Sequence, residues 1–244
     1  MGKIIWQNGG EEMPGIVEHL YFNNLIYHSL SARPTTKILK NGDVEISVYK
    51  QVLNRERFML AGIMPDLAED KFKSHYKYIN RKLGLFVPDL FVADREISKA
   101  RSDWSVRMGL CAHIHLDQTF LMDFVVKKFH WDVQGMAITS KATGEVFSPE
   151  EFFSLDGLFG AYAEIATVLL SEGYLKMKGV ESLPDELPRV NTPEMKPVKD
   201  WRQEFERQAS TNRARTDRLF SVSEAIKFIE EQATLLTAYM LYTE

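Results

Sequence analysis

Cysteine is nearly absent: Cys111 is the only one in 244 residues, so no intrachain disulfide can form, and a reducing compartment is the simplest expectation. Basic charge is not in excess either. Thirty Lys and Arg against 34 Asp and Glu leave a formal net charge of -4, which argues against a globally basic nucleic-acid binder and leaves only a local patch to consider. No stretch approaches the roughly 20 consecutive apolar residues that span a bilayer, and MGKIIWQNGGEEMPG lacks the apolar run of a secretory signal. Glycine-rich phosphate-loop motifs are missing. The expectation is a protein without membrane contact, cytoplasmic or a soluble component of a larger particle.

Hydrophobic residues at 45% and charged residues at 26% are ordinary globular values, which excludes long-range disorder. Residues 1 to about 30 carry two apolar patches, Ile4 to Trp6 and Ile16 to Tyr27, and suit an extended arm as well as a short helix. From Lys37 to Lys50 a β-hairpin is expected. Asn41-Gly42 supplies the positive φ values of a type I′ turn, and Val44, Ile46 and Val48 alternate with Glu45 and Ser47. Residues 66 to 84 read as a helix with Asp66 as N-cap and Gly84 just past its end. Lys71, Lys73, Lys77, Arg81 and Lys82 interleave there with His75, Tyr76 and Tyr78, a pattern that tracks a phosphate backbone or, more simply, makes a solvated face. LGLFVPDLFVAD, residues 83 to 94, suits a strand or a linker broken by Pro88.

The segment 99 to 134 is nearly free of glycine and proline and is expected as one long helix ending at Gly135. In its last part Leu116, Phe120, Leu121, Phe124, Val125 and Phe129 follow the three-and-four spacing of a single buried stripe. Residues 136 to 146 then read as a loop. Ser148-Pro149-Glu150-Glu151 starts a second helix with a capping box and proline at N1, and Gly173 should stop it. Four prolines between 174 and 197 make a long connection. A charged third helix over about 198 to 218 has Trp201 and Phe205 as its anchors, and a fourth runs from Ser221 or Ser223 to the C-terminus.

The stretch KKFHWDVQG, with the pair His130-Trp131, resembles the signature that ends the first bundle helix of the Dps (DNA protection during starvation) branch of the ferritin-like superfamily, with Asp132 where asparagine is usual. FFSL at 152 to 155 and IEEQATLLTAYM at 229 to 240 are similar to later helices of that branch. The resemblance covers about residues 104 to 244. It implies a mainly α protein: a ferritin-like four-helix bundle at 98–244, preceded by a small α+β region at 1–97 that holds the hairpin. It also implies a metal site for iron, with His130 as first ligand and Asp156 and Glu164 as the acidic candidates on the next helix. The second histidine of the family's site has no match, because none of the six histidines follows His130. One imidazole with few partners is a poor iron site, so His130 reads foremost as a packed histidine.

A rival constellation is His113-Ile114-His115-Leu116-Asp117, whose HxHxD order resembles the metal motif of amidohydrolases. That chemistry needs further histidines downstream, and on a helix only His113 and Asp117 share a face, which leaves a two-ligand fragment. Cys111 has no flanking pattern of a nucleophile.

The leading functional expectation is therefore a non-catalytic Dps-like bundle: a structural or self-assembly protein, as in a phage virion, with no cofactor. Self-association would be joined by a protein partner held through residues 1–97, with no role for nucleic acid. The alternative expectation is a divergent Dps-like ferroxidase or iron-storage protein using His130, Asp156 and Glu164.

Overall fold

The computed structural model describes residues 14–31, 34–38, 44–48, 53–99, 103–190, 195–211 and 213–242. In chain order the elements are α1 Ile16–Ser31, β1 Pro34–Ile38, β2 Val44–Val48, α2 Arg55–Ala61, α3 Met64–Leu67, α4 Lys71–Ser74, β3 Tyr78–Asn80, β4 Leu85–Val87, α5 Leu90–Lys99 and α6 Trp104–Thr119. A π turn, Phe120–Val125, leads to α7 Val126–Lys128, and then come β5 Phe129–Asp132, β6 Ala137–Ser140, β7 Val146–Phe147, α8 Pro149–Phe152, α9 Leu158–Ser171, α10 Met177–Glu181, α11 Trp201–Ala209 and α12 Val222–Tyr242. Among the described residues the fold is mainly helical, with three small antiparallel sheets. No helix among the described residues is long and apolar enough to cross a membrane.

The hairpin expected near Asn41-Gly42 is present as β1 and β2, paired from Pro34 with Val48 to Ile38 with Val44, while its turn lies outside the described residues. The N-terminal patch at Ile16 to Tyr27 is helix, and α1 is buried on nearly every side. Ile16, Val17, Leu20, Tyr21, Phe22 and Ile26 are all core residues, which is the pattern of a helix inside the protein. It packs against α2, α6, α9, α11 and α12. One hydrophobic core thus joins Ile16 to Met240, and a second, smaller cluster around Met64, Ile97, Leu110 and Ile114 fills the space under α5.

Two expected long helices are broken, each for a local reason. Residues 66–84 divide because Asp70 caps a new helix, accepting from the Lys73 N–H, and because Tyr76 takes a left-handed conformation at φ 50° that turns the chain into β3. Asp66 is accordingly not a cap but a buried residue of α3. Gly84, at φ 66°, closes the β3–β4 turn rather than a helix.

The helix expected over 99–134 stops at Lys128. Phe129 becomes extended, its ring packs against Phe147 and Phe152, and His130-Trp131 lie on β5, paired with Thr139 and Ile138 of β6. Gly135 belongs to the turn between these strands, where its N–H donates to Asp132 Oδ1 and Met136 follows at φ 53°. The expected loop 136–146 therefore contains a strand. At Ser148 the capping box is present, but α8 lasts only one turn before α9 begins at Leu158. Trp201 and Phe205 anchor α11, which is shorter than expected.

Candidate metal centre

Five ionisable side chains from four elements converge inside the core. Residue 19 of α1 contributes an imidazole, α3 contributes Asp66, and His75 sits at the C-cap of α4. His113 and Asp117 stand one turn apart on α6. None of the five is more than 3% exposed. Burial on this scale disfavours charge unless the groups are paired or hold a metal.

Two of the rings have their orientation set from outside. Gly62 O can only accept, so the His113 Nδ1 at 2.9 Å from it is the N–H side of that ring. The Ser74 hydroxyl donates to Pro65 O at 3.0 Å, which leaves its oxygen to accept from His75 Nδ1, also at 3.0 Å. Both rings therefore turn Nε2 inward, and the two Nε2 atoms are 3.0 Å apart. In neutral rings these would be two opposed lone pairs, an arrangement that calls for a cation between them. Outer hydrogen bonds that fix the tautomer of an inward-facing imidazole are the usual support of a metal-ligating histidine.

The carboxylates complete the arrangement. His75 Nε2 is 3.3 Å from Asp66 Oδ1 and 3.3 Å from Asp117 Oδ2, while His113 Nε2 is 3.6 Å and 3.4 Å from the same two oxygens. Four ligands at about 2.0–2.1 Å from a tetrahedral ion are separated from one another by about 3.3–3.4 Å. Within the group Asp66 Oδ1, His75 Nε2 and His113 Nε2 the separations of 3.0–3.6 Å are close to that spacing, while Asp117 joins His113 and His19 in a second three-donor group. The second oxygens of the same carboxylates face His19, whose Nε2 lies 3.1 Å from Asp117 Oδ1 and 3.9 Å from Asp66 Oδ2. Despite this closeness, both Asp66 oxygens, Asp117 Oδ1 and both His19 nitrogens have no aligned hydrogen-bond partner. Orphaned buried groups aimed at common points fit metal ligation better than a hydrogen-bonded network. Stacking of the His19 ring on that of His113, with centroids 3.7 Å apart, holds the second set in place.

The electrostatics agree. Burial, with Lys77 nearby, pushes His75 down to about 4, so it is a neutral ligand near pH 7. His113 moves up: burial opposes its charge, but Asp117 and Asp66 outweigh it. Asp117 is buried, yet His113 and His19 hold it well below the usual carboxylate range. The upward push on His113 and the downward pull on Asp117 both mark the space between them as one that favours positive charge, for which a metal and a proton would compete.

Sequence reasoning pointed elsewhere for the metal. His130 is exposed on β5, and Asp156 is exposed in the α8–α9 connection, its carboxylate 3.7 Å from Arg213. Glu164 is buried on α9 and accepts from the Thr216 N–H and hydroxyl and the Asp217 N–H, at 3.0, 2.6 and 3.2 Å. Asp156 and Glu164 border one cavity, but His130 does not line it. None of the three belongs to a metal-capable group among the described residues; those groups are His19, His113 and Asp117, and Asp66, His75 and His113. The two-ligand fragment His113 and Asp117 was visible as a helical pair, and its partners lie upstream, not downstream. No family model matches the chain, and neither a curated protein nor a solved structure does.

Proposed function

We propose that this protein is a divalent-metal protein whose centre is formed by His19, Asp66, His75, His113 and Asp117, and that hydrolysis of an ester-type bond is its reaction class. The observation that supports the reading is the convergence of two three-donor groups, Asp66–His75–His113 and His19–His113–Asp117, on the inward Nε2 of His113. Nitrogen and carboxylate ligands of this kind suit zinc, manganese(II) or iron(II). Each group supplies three donors, the number that leaves an ion an open position, and the two groups share His113. An ion held by three protein donors would lower the pKa of a water at its open position, which is the basis of metal-assisted hydrolysis.

A second reading keeps the metal and drops the chemistry. All five donors are sealed from solvent, which favours an ion that only stabilises the core. The protein is then the structural, self-associating bundle that the ferritin-like resemblance implies, with a partner engaged through residues 1–97. Iron oxidation centred on His130 has less support, since His130 belongs to no metal-capable group among the described residues.

The deciding experiment is elemental analysis of protein purified without chelator, beside Asp117→Asn and His113→Ala, followed by turnover of 4-nitrophenyl acetate and bis(4-nitrophenyl) phosphate. The expected result is about one to two ions per chain in the wild type, loss in both variants, and hydrolysis that follows metal content. Metal without hydrolysis selects the structural reading. A wild type that stays empty after incubation with zinc, manganese and iron(II) ends both.

A further inference from the structure

The first turns of α9 and the chain that follows α11 border a cavity of about 240 Å³. Four charged side chains stand in its walls: Arg213, Arg218, Asp156 and Glu164. Two of them are already committed within the protein. Glu164 accepts from the Thr216 hydroxyl and from the Thr216 and Asp217 N–H groups, and Arg218 donates to the Asp156 main-chain carbonyl at 3.1 Å and to Glu145 at 2.6 Å. Arg215 and Asp217, next to them in the chain, pair with each other at 2.9 Å. The Arg213 guanidinium and the Asp156 carboxylate, by contrast, make no side-chain hydrogen bond among the described residues, and their closest atoms are 3.7 Å apart, beyond hydrogen-bond reach. Both are open to a ligand, with 89% of the Asp156 side chain and 30% of the Arg213 side chain exposed. Gly160 gives the guanidinium its place, since a Cβ there would collide with Arg213 Nη1 and Leu155 O.

We propose that this cavity binds a small zwitterion, a free α-amino acid with a compact side chain, whose carboxylate takes Arg213 and whose ammonium takes Asp156. A guanidinium presents parallel N–H donors that match the two oxygens of a carboxylate. The charge count decides the ligand class. Two cations and two anions line the walls, so a simple anion would face Asp156 and Glu164, and a simple cation would face both arginines. A zwitterion meets the two groups without hydrogen bonds at once and adds no net charge. Parting Arg213 from Asp156 costs little, because an exposed ion pair at that distance contributes little to stability. The volume is below the roughly 300–1,000 Å³ of drug-sized pockets, and Gly160, Ala161 and Leu219 offer a small apolar wall for the side chain. None of these residues belongs to the metal-capable groups, so the inference does not rest on the metal reading.

The test titrates L-alanine, propionate, ethylamine and inorganic phosphate into the full-length protein, with and without EDTA, followed by calorimetry and saturation-transfer NMR. L-alanine should bind saturably, and propionate and ethylamine, each lacking one of its charges, should bind about tenfold more weakly or not at all. Arg213→Gln and Asp156→Asn, each checked for an unchanged thermal midpoint, should each weaken L-alanine about tenfold. Asp156→Asn should also strengthen propionate, because the acid beside the guanidinium is gone. EDTA should leave L-alanine binding in place, which separates this cavity from the metal centre, where an amino acid could chelate an ion. The proposal is overturned if L-alanine does not bind, if propionate, ethylamine or phosphate binds as tightly, or if either variant leaves its Kd unchanged. Binding that disappears with EDTA places the amino acid on a metal and also overturns it.

Discussion

His75 Nε2 and His113 Nε2 face each other at 3.0 Å, with each ring's other nitrogen already committed, one to Ser74 and one to Gly62. Two rings so constrained need a proton or a metal between them. Chelation of the purified protein should therefore lower its thermal midpoint, and restoring zinc or manganese should raise it again. At a metal concentration about a hundredfold above Kd the stabilisation is about 2.7 kcal/mol. His113→Ala should show neither response. A midpoint that does not move with chelator would remove the centre from the energetics of the fold.

The residues chosen from the resemblance should behave differently. His130→Ala, on an exposed strand position, should change stability by less than about 0.5 kcal/mol and leave metal content and any iron(II) oxidation unchanged. Glu164→Ala should destabilise by about 2–3 kcal/mol, because it frees the Thr216 and Asp217 donors, yet retain the metal. Urea titrations and elemental analysis separate the two effects, and metal loss in either variant would contradict the assignment of ligands.

What could be read in advance was local. The strand pairing on either side of Asn41-Gly42, whose turn lies outside the described residues, the capping box at Ser148 and the stop at Gly173 each depend on a few adjacent residues, and the pairing, the box and the stop are present. His113 and Asp117 were legible as one helical face because their spacing is helical. Their three partners were not, since residues 19, 66 and 75 come from separate elements and share no period. Asp66 looked like an N-cap for the ordinary reason that aspartate precedes helices. Phe129 satisfies both a helical stripe and a strand alternation, so only the turn at Gly135-Met136, which needs a residue at positive φ, decides that His130 leaves the helix. The ferritin-like reading depended on that ambiguous stretch.

Gly62 links backbone geometry to the centre. A Cβ there would collide with the side-chain amide of Asn23, and the Gly62 carbonyl holds His113. Gly62→Ala should cost about 1–3 kcal/mol through displacement of α1 against α2 and should weaken metal binding together with stability. Gly144, with nothing near its missing Cβ but a φ of 73°, is the control: its alanine variant should lose stability without any change in metal affinity.

Lys71 gives a pH signature. Burial pushes its amine down to about 6, with Lys199 and Lys77 adding to the effect, while the unfolded chain keeps the ordinary value near 10.5. As pH falls from about 10 toward 6, the unfolded state takes up a proton that the folded state refuses, so stability declines across that window and levels off below it. Lys71→Met should be more stable than the wild type at pH 7 and show a flatter profile from pH 10 to 7. Lys77, also lowered by burial, leaves a residual slope of the same sign, so the informative quantity is the difference between the two proteins in urea midpoints at each pH.

Cys111 is the last case, and it concerns reactivity. Burial, with Asp94 beside it, pushes the thiol up to about 12, so almost none is thiolate at pH 8, and the Sγ approaches Asp94 Oδ1 at 3.7 Å inside the cluster under α5. Alkylation follows the thiolate and its exposure. Iodoacetamide at pH 8 should leave the native protein unmodified for hours and label it within minutes in urea, as read by intact mass. Because α6 carries both Cys111 and His113, labelling in the native state should speed up once the metal is removed, provided the ion holds α6 against α3 and α4. Equal rates with and without chelator would mean that α6 is held by packing alone.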